Sequence, residues 1–235
     1  VASSVISSFL APLEPELRKR LRTKGGLKNT IVLNLSVDAN SHIRKMYDEV
    51  VTIYGAESQL RRRIFWWATK LGVRASVPDQ VLSDSSWRSN KSSVQMSQDD
   101  DEIGCAYLDS IGIGRNSDFI CYATRTESYY SKLIDSGVIV KPRSVRNPDE
   151  KTYIDVALKL SNNCLSVIRM GKDLNSSITS IDFPTIVDYA TVSQSDLLDC
   201  FLLKNAKYLI NGATGIFWFR ALFDKPSVLS DIYDI

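Results

Sequence analysis

The sequence is poor in the residues and runs that build several common kinds of site. It has a single histidine, His42, which excludes a metal site made of several histidines. From its polar neighbours we expect His42 at the surface. The four cysteines form no CxxC pair and lie in mostly apolar segments, a pattern typical of buried free thiols in a reducing compartment. No apolar run approaches the roughly 20 residues that a membrane-spanning helix needs.

An excess of charge of one sign is also missing. The chain has 29 lysines and arginines against 27 aspartates and glutamates, a net charge of +2. Because no broad basic field results, a nucleic-acid partner is not predicted. A local basic run at residues 61–63 precedes the apolar residues 64–67. We interpret it as a solvated helix face beside a buried aromatic face; the alternative is contact with phosphate or an anionic membrane surface.

Two phosphate-binding motifs are absent as well. No GxGxxG follows the first strand of the second half, and no GxxxxGK[ST] occurs anywhere in the chain. Hydride transfer on a dinucleotide and P-loop phosphoryl transfer are therefore not the leading functions.

What the first half does contain is a mixture of helix and strand patterns. Residues 1–22 predict a helix broken at Pro12 and Pro15, and residues 30–37 predict a buried strand. A helix capped by Ser41 and another over residues 57–70 follow. This half supplies only one clear strand. The polar residues 79–98 are interpreted as a connection between two units.

The acidic run after Ser97 has two interpretations. Asp99, Asp100 and Asp101 behind a serine are favoured at the start of a helix, where the helix dipole is positive. The alternative is a metal site of the kind found in metal-dependent glycosyltransferases. We predict the helix cap.

The second half alternates short apolar runs with helical patterns. The predicted strands cover residues 119–124, 165–168, 184–189, 206–210 and 227–229, and the predicted helices cover residues 149–160, 195–203 and 214–223. Strands separated by helices imply right-handed crossovers and a mainly parallel sheet flanked by helices. The fold class predicted is therefore α/β.

Polar and glycine residues follow several of these strands. In an open parallel sheet, ligands bind at the carboxyl ends of the strands. The residues there with phosphate-binding chemistry are Arg125, Arg169, Gly171, Asn211, Gly212, Ala213, Thr214 and Gly215. Arginine matches phosphate oxygens, and glycine lets backbone N–H groups approach an anion. The alternatives are ion pairs of the arginines with Glu127, Asp188 or Asp196, and a plain tight turn at residues 211–215.

The same residues carry a resemblance. The segments Phe-Ile-Cys-Tyr-Ala-Thr-Arg from residue 119, Arg-Asn-Pro-Asp from 146, Val-Ile-Arg-Met-Gly from 167 and Asn-Gly-Ala-Thr-Gly from 211 resemble a family of bacterial glycosyltransferases. The likeness extends through residues 186–190, 195–200 and 225–226. It implies a GT-B-type architecture, with Rossmann-like domains and the nucleotide-sugar donor held by the C-terminal one.

From this resemblance we expect residues 1–115 to form a partial acceptor-side region with the linker, and residues 116–235 to form the donor-binding domain. The chain is short for a complete two-domain enzyme and residues 1–115 supply one clear strand, so the N-terminal half is expected to be incomplete. The chain also ends just after the last recognisable strand. The phosphate-binding roles fall on the residues named above. Ser195 and Asp196 would position the donor or only cap a helix, and Asp38 is the candidate general base.

The predicted function is transfer of a sugar from a nucleotide sugar to a glycan or polysaccharide acceptor. The resemblance implies no metal and no cofactor, because basic side chains and a helix N-terminus neutralise the leaving diphosphate. A non-catalytic scaffold with this fold and a nucleotide-sugar epimerase are the alternatives; the single histidine disfavours the epimerase. We expect a cytoplasmic protein, with peripheral contact at the inner membrane face as a further alternative.

Overall fold

The fold is taken from a computed structural model, which describes residues 6–22, 26–27, 30–34, 40–55, 63–64, 66–67, 70, 91–124, 149–161, 165–171, 185–212 and 214–231. Contacts within the chain separate it into two compact units, Val1–Gln95 and Met96–Ile235. The predicted division of the chain at residue 115 stays a prediction. Each unit is described by itself below.

The first unit contains a two-stranded parallel sheet. Its described elements are α1 (Ile6–Leu21), β1 (Ile31–Asn34), α2 (Ser41–Asp48) and β2 (Thr52–Gly55). The strands β1 and β2 pair from Ile31 with Thr52 through to Asn34 with Gly55. The single strand predicted for this half was therefore too few, because residues 52–55 extend as a strand instead of continuing the helix before them.

Helix α1 runs unbroken through Pro12 and Pro15, contrary to the predicted break. Each proline lacks an N–H and so removes one intrahelical hydrogen bond. The apolar side chains of Leu10, Leu13 and Leu17 recur at helical spacing and are almost fully buried. Burial of this face offsets the lost hydrogen bonds, and it is the reason the helix persists.

A buried carboxylate, Glu14, connects three parts of this unit. It accepts hydrogen bonds from Arg18 Nε at 2.7 Å, from the Ser93 backbone N–H at 2.8 Å and from the Tyr47 hydroxyl. A buried charge is tolerated when it is paired and hydrogen-bonded in this way. Burial and the neighbouring Glu14 raise the pKa of Tyr47, so its phenol stays protonated as a donor.

Two predictions at the start of α2 were wrong in detail. The cap is Asn40, whose side chain accepts a hydrogen bond from the Ile43 N–H at 2.9 Å, while Ser41 is the first helical residue. His42 is buried, not at the surface. It lies on the helix face that also carries Ile43, Met46 and Tyr47, and that face packs inward.

The second unit is built on a five-stranded parallel sheet, as predicted. Its helices are α3 (Gln98–Ser110), α4 (Glu150–Ser161), α5 (Tyr189–Val192), α6 (Asp196–Asn205) and α7 (Phe217–Leu222). Its strands are β3 (Phe119–Ala123), β4 (Ser166–Met170), β5 (Ile186–Val187), β6 (Leu209–Asn211) and β7 (Ser227–Leu229). The strand order is β5-β4-β3-β6-β7, and every neighbouring pair is parallel.

The core of the second unit lies on both faces of its central strand. All five residues of β3 are buried. On one face Ile120 and Tyr122 pack with Val167 of β4 and with Tyr153 of α4. On the other face Cys121 contacts the α6 backbone, with its Sγ 4.0 Å from the Leu202 carbonyl oxygen. A strand covered on both faces explains the continuous apolar run at residues 119–123.

The acidic start of α3 is a helix cap, as predicted. The Ser97 side chain accepts a hydrogen bond from the Asp100 N–H, and the Asp100 carboxylate accepts one from the Ser97 N–H, which together form a capping box. Asp101 receives two hydrogen bonds of 2.7 Å from Lys204 of α6. Among the described residues, no group of three or more potential ligands is arranged to hold a metal ion.

The predicted free thiols are found where the structure describes them. Cys121 and Cys200 are buried and Cys105 is partly exposed, all three without a disulfide. Burial raises the pKa of both buried thiols, so they are inert, protonated core residues. Cys164 lies outside the described residues.

Candidate functional site

The carboxyl edge of the five-stranded sheet collects polar residues from four strands. Thr124 follows β3, Gly171 follows β4, Asp188 follows β5 and Gly212 follows β6. Because all strands run in the same direction, these positions share one edge. Thr124, Gly171, Asp188 and Gly212 are all buried. The edge therefore has the position and composition of a binding crevice in an open α/β sheet.

Arg169 lies one residue before the end of β4 and is 1% exposed. It donates to Glu150 of α4 from Nε at 2.8 Å, and Nη2 on the same edge of the guanidinium lies 2.7 Å from the same carboxylate oxygen. A second carboxylate, Asp188, lies 3.2 Å from the remaining terminal nitrogen. The ion pair with Asp188, an alternative left open by the sequence, is thus present, and one cation serves two carboxylates.

The cluster formed by Tyr122, Glu150, Arg169 and Asp188 owes its geometry to the strand register. Tyr122 of β3 is the register partner of Arg169 on β4, so the two side chains are neighbours on one face of the sheet. That is the face covered by α4, whose first turn supplies Glu150. Asp188 is held on the other side by the Thr191 hydroxyl, which donates at 2.6 Å.

Three buried polar atoms at this edge lack a hydrogen-bond partner within the part of the chain described here. They are the Tyr122 hydroxyl, Asn211 Oδ1 and Thr214 Oγ1. Such an unsatisfied group costs about 1–3 kcal/mol, so each is a candidate contact for a polar ligand. Asn211 uses its amide nitrogen to donate to the Gly212 carbonyl at 2.7 Å, which fixes its Oδ1 in place.

Tyr122 is a neutral donor in a charged environment. Burial raises the pKa of its phenol; Glu150 and Asp188 raise it further, while Arg169 lowers it. The hydroxyl therefore keeps its proton at neutral pH. It can donate a hydrogen bond to an anionic or carbonyl oxygen but cannot act as a base there.

The turn after β6 is tightly folded. The Gly212 N–H donates to the Ala123 carbonyl at 3.3 Å, and the Thr214 N–H donates back to the Gly212 carbonyl at 2.7 Å. The helix predicted from residue 214 begins at Phe217 and has six residues. Gly215 precedes it and accepts from the Trp218 N–H at 3.1 Å. The turn thus adjoins the strand end, while the helix behind it is short.

Ser195 and Asp196 are engaged at the start of α6. The Ser195 side chain accepts a hydrogen bond from the Leu198 N–H at 3.2 Å, so it caps the helix. Asp196 is the first helical residue. The buried Tyr189 hydroxyl donates to the Ser195 carbonyl at 2.9 Å and to Asp199 at 2.8 Å. Capping was one of the two roles predicted for this pair, and their role in positioning a donor stays a prediction.

Three predicted site residues, Asp38, Arg125 and Ala213, lie outside the described residues. Of the others, Arg169, Gly171, Asn211, Gly212 and Thr214 are brought to one edge. The strand order places β4 and β6 on either side of β3, two strand spacings or about 10 Å apart.

The sequence reasoning missed two members of the cluster, Tyr122 and Glu150. A signal for Tyr122 was present, since it and Arg169 each precede the last residue of a five-residue strand. Paired strands of equal length bring such residues side by side. Glu150 had no signal of its own beyond its place in the first turn of a helix.

No protein-family model and no curated protein sequence matches the chain. Among solved structures, it is similar to E. coli ADP-heptose lps heptosyltransferase II, with a TM-score of 0.59 and 11% identity over 97% of this chain and 82% of that one. A glycosyl transferase family 9 structure from Veillonella parvula DSM 2008 has a TM-score of 0.44 and 13% identity, over 95% of this chain and 61% of that one. The fold comparison rests on the first.

The likeness to the heptosyltransferase confirms the predicted architecture. Over nearly its whole length, this chain has the α/β, GT-B-type fold of a glycosyltransferase, with a parallel five-stranded sheet flanked by helices. At this level of identity, the likeness concerns the fold. Within the described residues, no helix has the length and apolarity that crossing a bilayer requires.

Proposed function

We propose that the chain is a glycosyltransferase that transfers a sugar from a nucleotide sugar to a glycan acceptor. The observation that carries this proposal is the fold likeness over 97% of the chain to a protein described as an ADP-heptose lps heptosyltransferase. The polar edge of the second unit's sheet supports it, since it has three unsatisfied buried polar atoms where a ligand binds in such sheets.

In this proposal, the acceptor hydroxyl attacks the anomeric carbon while the bond from that carbon to the diphosphate oxygen breaks. The leaving nucleoside diphosphate must be neutralised, which we assign to protein groups and not to a metal ion. The Thr214 hydroxyl and the backbone N–H group of Gly215 donate to the phosphates, with Arg125 as a cationic partner. Gly171 leaves room for the donor, and Asn211 and Ala213 shape the same turn. Asp38 is the proposed general base for the acceptor hydroxyl.

Arg169 enters the proposal through exchange of its partners. Its contacts with Glu150 are 2.7 and 2.8 Å, whereas those with Asp188 are 3.2 and 3.3 Å. The longer contact is the weaker one, so a donor phosphate replaces Asp188 more easily than Glu150. Arg169 would then bind the diphosphate with Glu150 still holding the guanidinium in place.

The test is a thermal-shift panel of nucleoside diphosphates and nucleotide sugars with wild type and two matched variants. A ligand that binds only the folded protein raises the melting temperature. Thr214→Val removes the unsatisfied hydroxyl and keeps the side-chain shape, so it should lose most of the shift. Thr152→Val makes the same change on the exposed side of α4 and should keep it.

A panel in which no nucleotide shifts wild type, or in which both variants behave alike, contradicts the assigned site. Release of nucleoside diphosphate with a glycan acceptor then separates the functions. Transfer to the acceptor supports the glycosyltransferase. Binding without turnover indicates a scaffold, and a changed sugar on the intact nucleotide indicates an epimerase.

A further inference from the structure

We propose that Arg63, Ile64, Trp66, Trp67 and Lys70 form a docking site for the surface of an anionic phospholipid bilayer. The large apolar side chains described there are exposed to solvent: Ile64 exposes 59% of its surface, Trp66 53% and Trp67 60%. This overturns the expectation of a buried aromatic face behind the basic run. Exposed apolar patches of this kind mark interaction surfaces.

The described residues of this segment form one continuous patch. Arg63, Trp66, Trp67 and Lys70 have helical backbone and are spaced at i, i+3, i+4 and i+7, which places them on one side of a helix. The two indole rings are 5.2 Å apart, and the Lys70 ammonium lies 5.4 Å from the Trp66 ring centre. Aromatic and cationic groups are thus interleaved on a single face, called here the tryptophan face.

The charge around the tryptophan face selects its partner. Residues 58–78 contain five lysines and arginines and no aspartate or glutamate, although the whole chain is nearly neutral. Basic residues next to a membrane are attracted by anionic headgroups, and tryptophan prefers the headgroup level of a bilayer. The combination therefore fits an anionic lipid surface.

The test compares binding of the full chain to two kinds of vesicle. One consists of neutral phosphatidylcholine alone, and the other contains about one-third anionic phosphatidylglycerol. We expect sedimentation with the anionic vesicles only, weakened by raising the salt from about 0.1 to 0.5 M because screening acts on exposed charges. Trp66→Ser combined with Trp67→Ser should lower the partition coefficient about tenfold or more. Arg63→Gln combined with Lys70→Gln should lower it by a similar factor.

Matched controls change equal numbers of exposed residues elsewhere. Ile103→Ser with Val192→Ser removes two exposed apolar side chains, and Lys151→Gln with Lys225→Gln removes two exposed charges; both pairs should bind as wild type does. Equal binding of neutral and anionic vesicles, or unchanged binding by the double tryptophan variant, overturns the proposal. So does binding of single-stranded RNA in place of vesicles, which would make the face a nucleic-acid site. Because the readout uses no nucleotide, it is independent of the glycosyltransferase proposal.

Discussion

At the scale of single residues, the most informative side chain is Asp188. Its side chain is 5% exposed and accepts a hydrogen bond from the Thr191 hydroxyl. It also makes the longer of the two ion pairs of Arg169, at 3.2 Å. If a donor phosphate replaces it there, the carboxylate competes with the ligand both for position and by like charge. Its negative charge then costs binding free energy.

Asp188→Asn should therefore strengthen binding of a nucleoside diphosphate, by about tenfold for a loss of one nearby like charge. Calorimetric titration measures the effect. Asp155→Asn makes the same change on the exposed side of α4 and should leave the affinity unchanged. Weaker binding by Asp188→Asn would show that Asp188 accepts hydrogen bonds from the ligand, and exchange of partners at Arg169 would be excluded.

Single residues also show where sequence reasoning ends. The pairing of Arg169 with Asp188 could be anticipated, because both lie at the carboxyl ends of strands that a parallel sheet brings to one edge. Glu150 could not, since its contact depends on how α4 crosses the sheet between β3 and β4. The burial of His42 could not be predicted either, because its polar sequence neighbours face away from the side of the helix on which it packs.

At the scale of elements, helices α3 and α6 meet closely at Gly104. A Cβ placed there would overlap the ring of Phe201, so the two helices touch at this point through a bare backbone. Alanine is the better helix former by about 1 kcal/mol. Overpacking of a well-filled contact costs about 1–3 kcal/mol, and a Cβ only 2.1 Å from the ring carbon places the cost in the upper part of that range, above the gain.

Gly104→Ala should therefore lower the free energy of unfolding by about 1–2 kcal/mol, despite its higher helix propensity. Urea unfolding followed by circular dichroism measures this. Phe201→Leu makes room at the same contact, so the double variant should be less destabilised than the sum of the two single changes. Strict additivity of the two substitutions would mean that Gly104 and Phe201 do not share a contact.

The elements that could be predicted are those with one clear period and firm ends. The run Phe-Ile-Cys-Tyr-Ala is typical of a strand buried on both faces, and the serine before residues 98–102 marks a helix start. The strand β2 was missed because Val50, Val51 and Tyr54 continue the helical spacing of α2, while Val51 and Ile53 also fit the alternation of a strand. Only the second pattern agrees with the burial observed, in which Val51 and Ile53 are buried and Thr52 and Tyr54 are exposed.

At the scale of the whole molecule, stability is linked to protons held by buried thiols and phenols. Burial raises the pKa of the Cys121 and Cys200 thiols and of Tyr47, Tyr122 and Tyr189, and it raises that of Tyr153 to about 12. Above the unfolded pKa, about 8.5 for a thiol and 10 for a phenol, the unfolded chain releases protons that the folded chain keeps. The free energy of unfolding is thus unaffected by these groups below about pH 8 and falls as the pH rises further.

Cys200 allows this linkage to be measured at one site. At pH 9.5, one unit above the unfolded value, a fully buried thiol lowers the free energy of unfolding by about 1.4 kcal/mol relative to neutral pH. Cys200→Ala lacks this loss, so its deficit against wild type at pH 7 should shrink by about that amount at pH 9.5. The other alkaline effects, from lysines and phenols, are common to both proteins and cancel in the difference.

Cys105→Ala, at a partly exposed thiol, is the control and should show a difference from wild type that changes little with pH. If the deficit of Cys200→Ala is the same at both pH values, the thiol of Cys200 titrates in the folded protein as it does in the unfolded chain, and the buried, protonated state assigned to it is wrong.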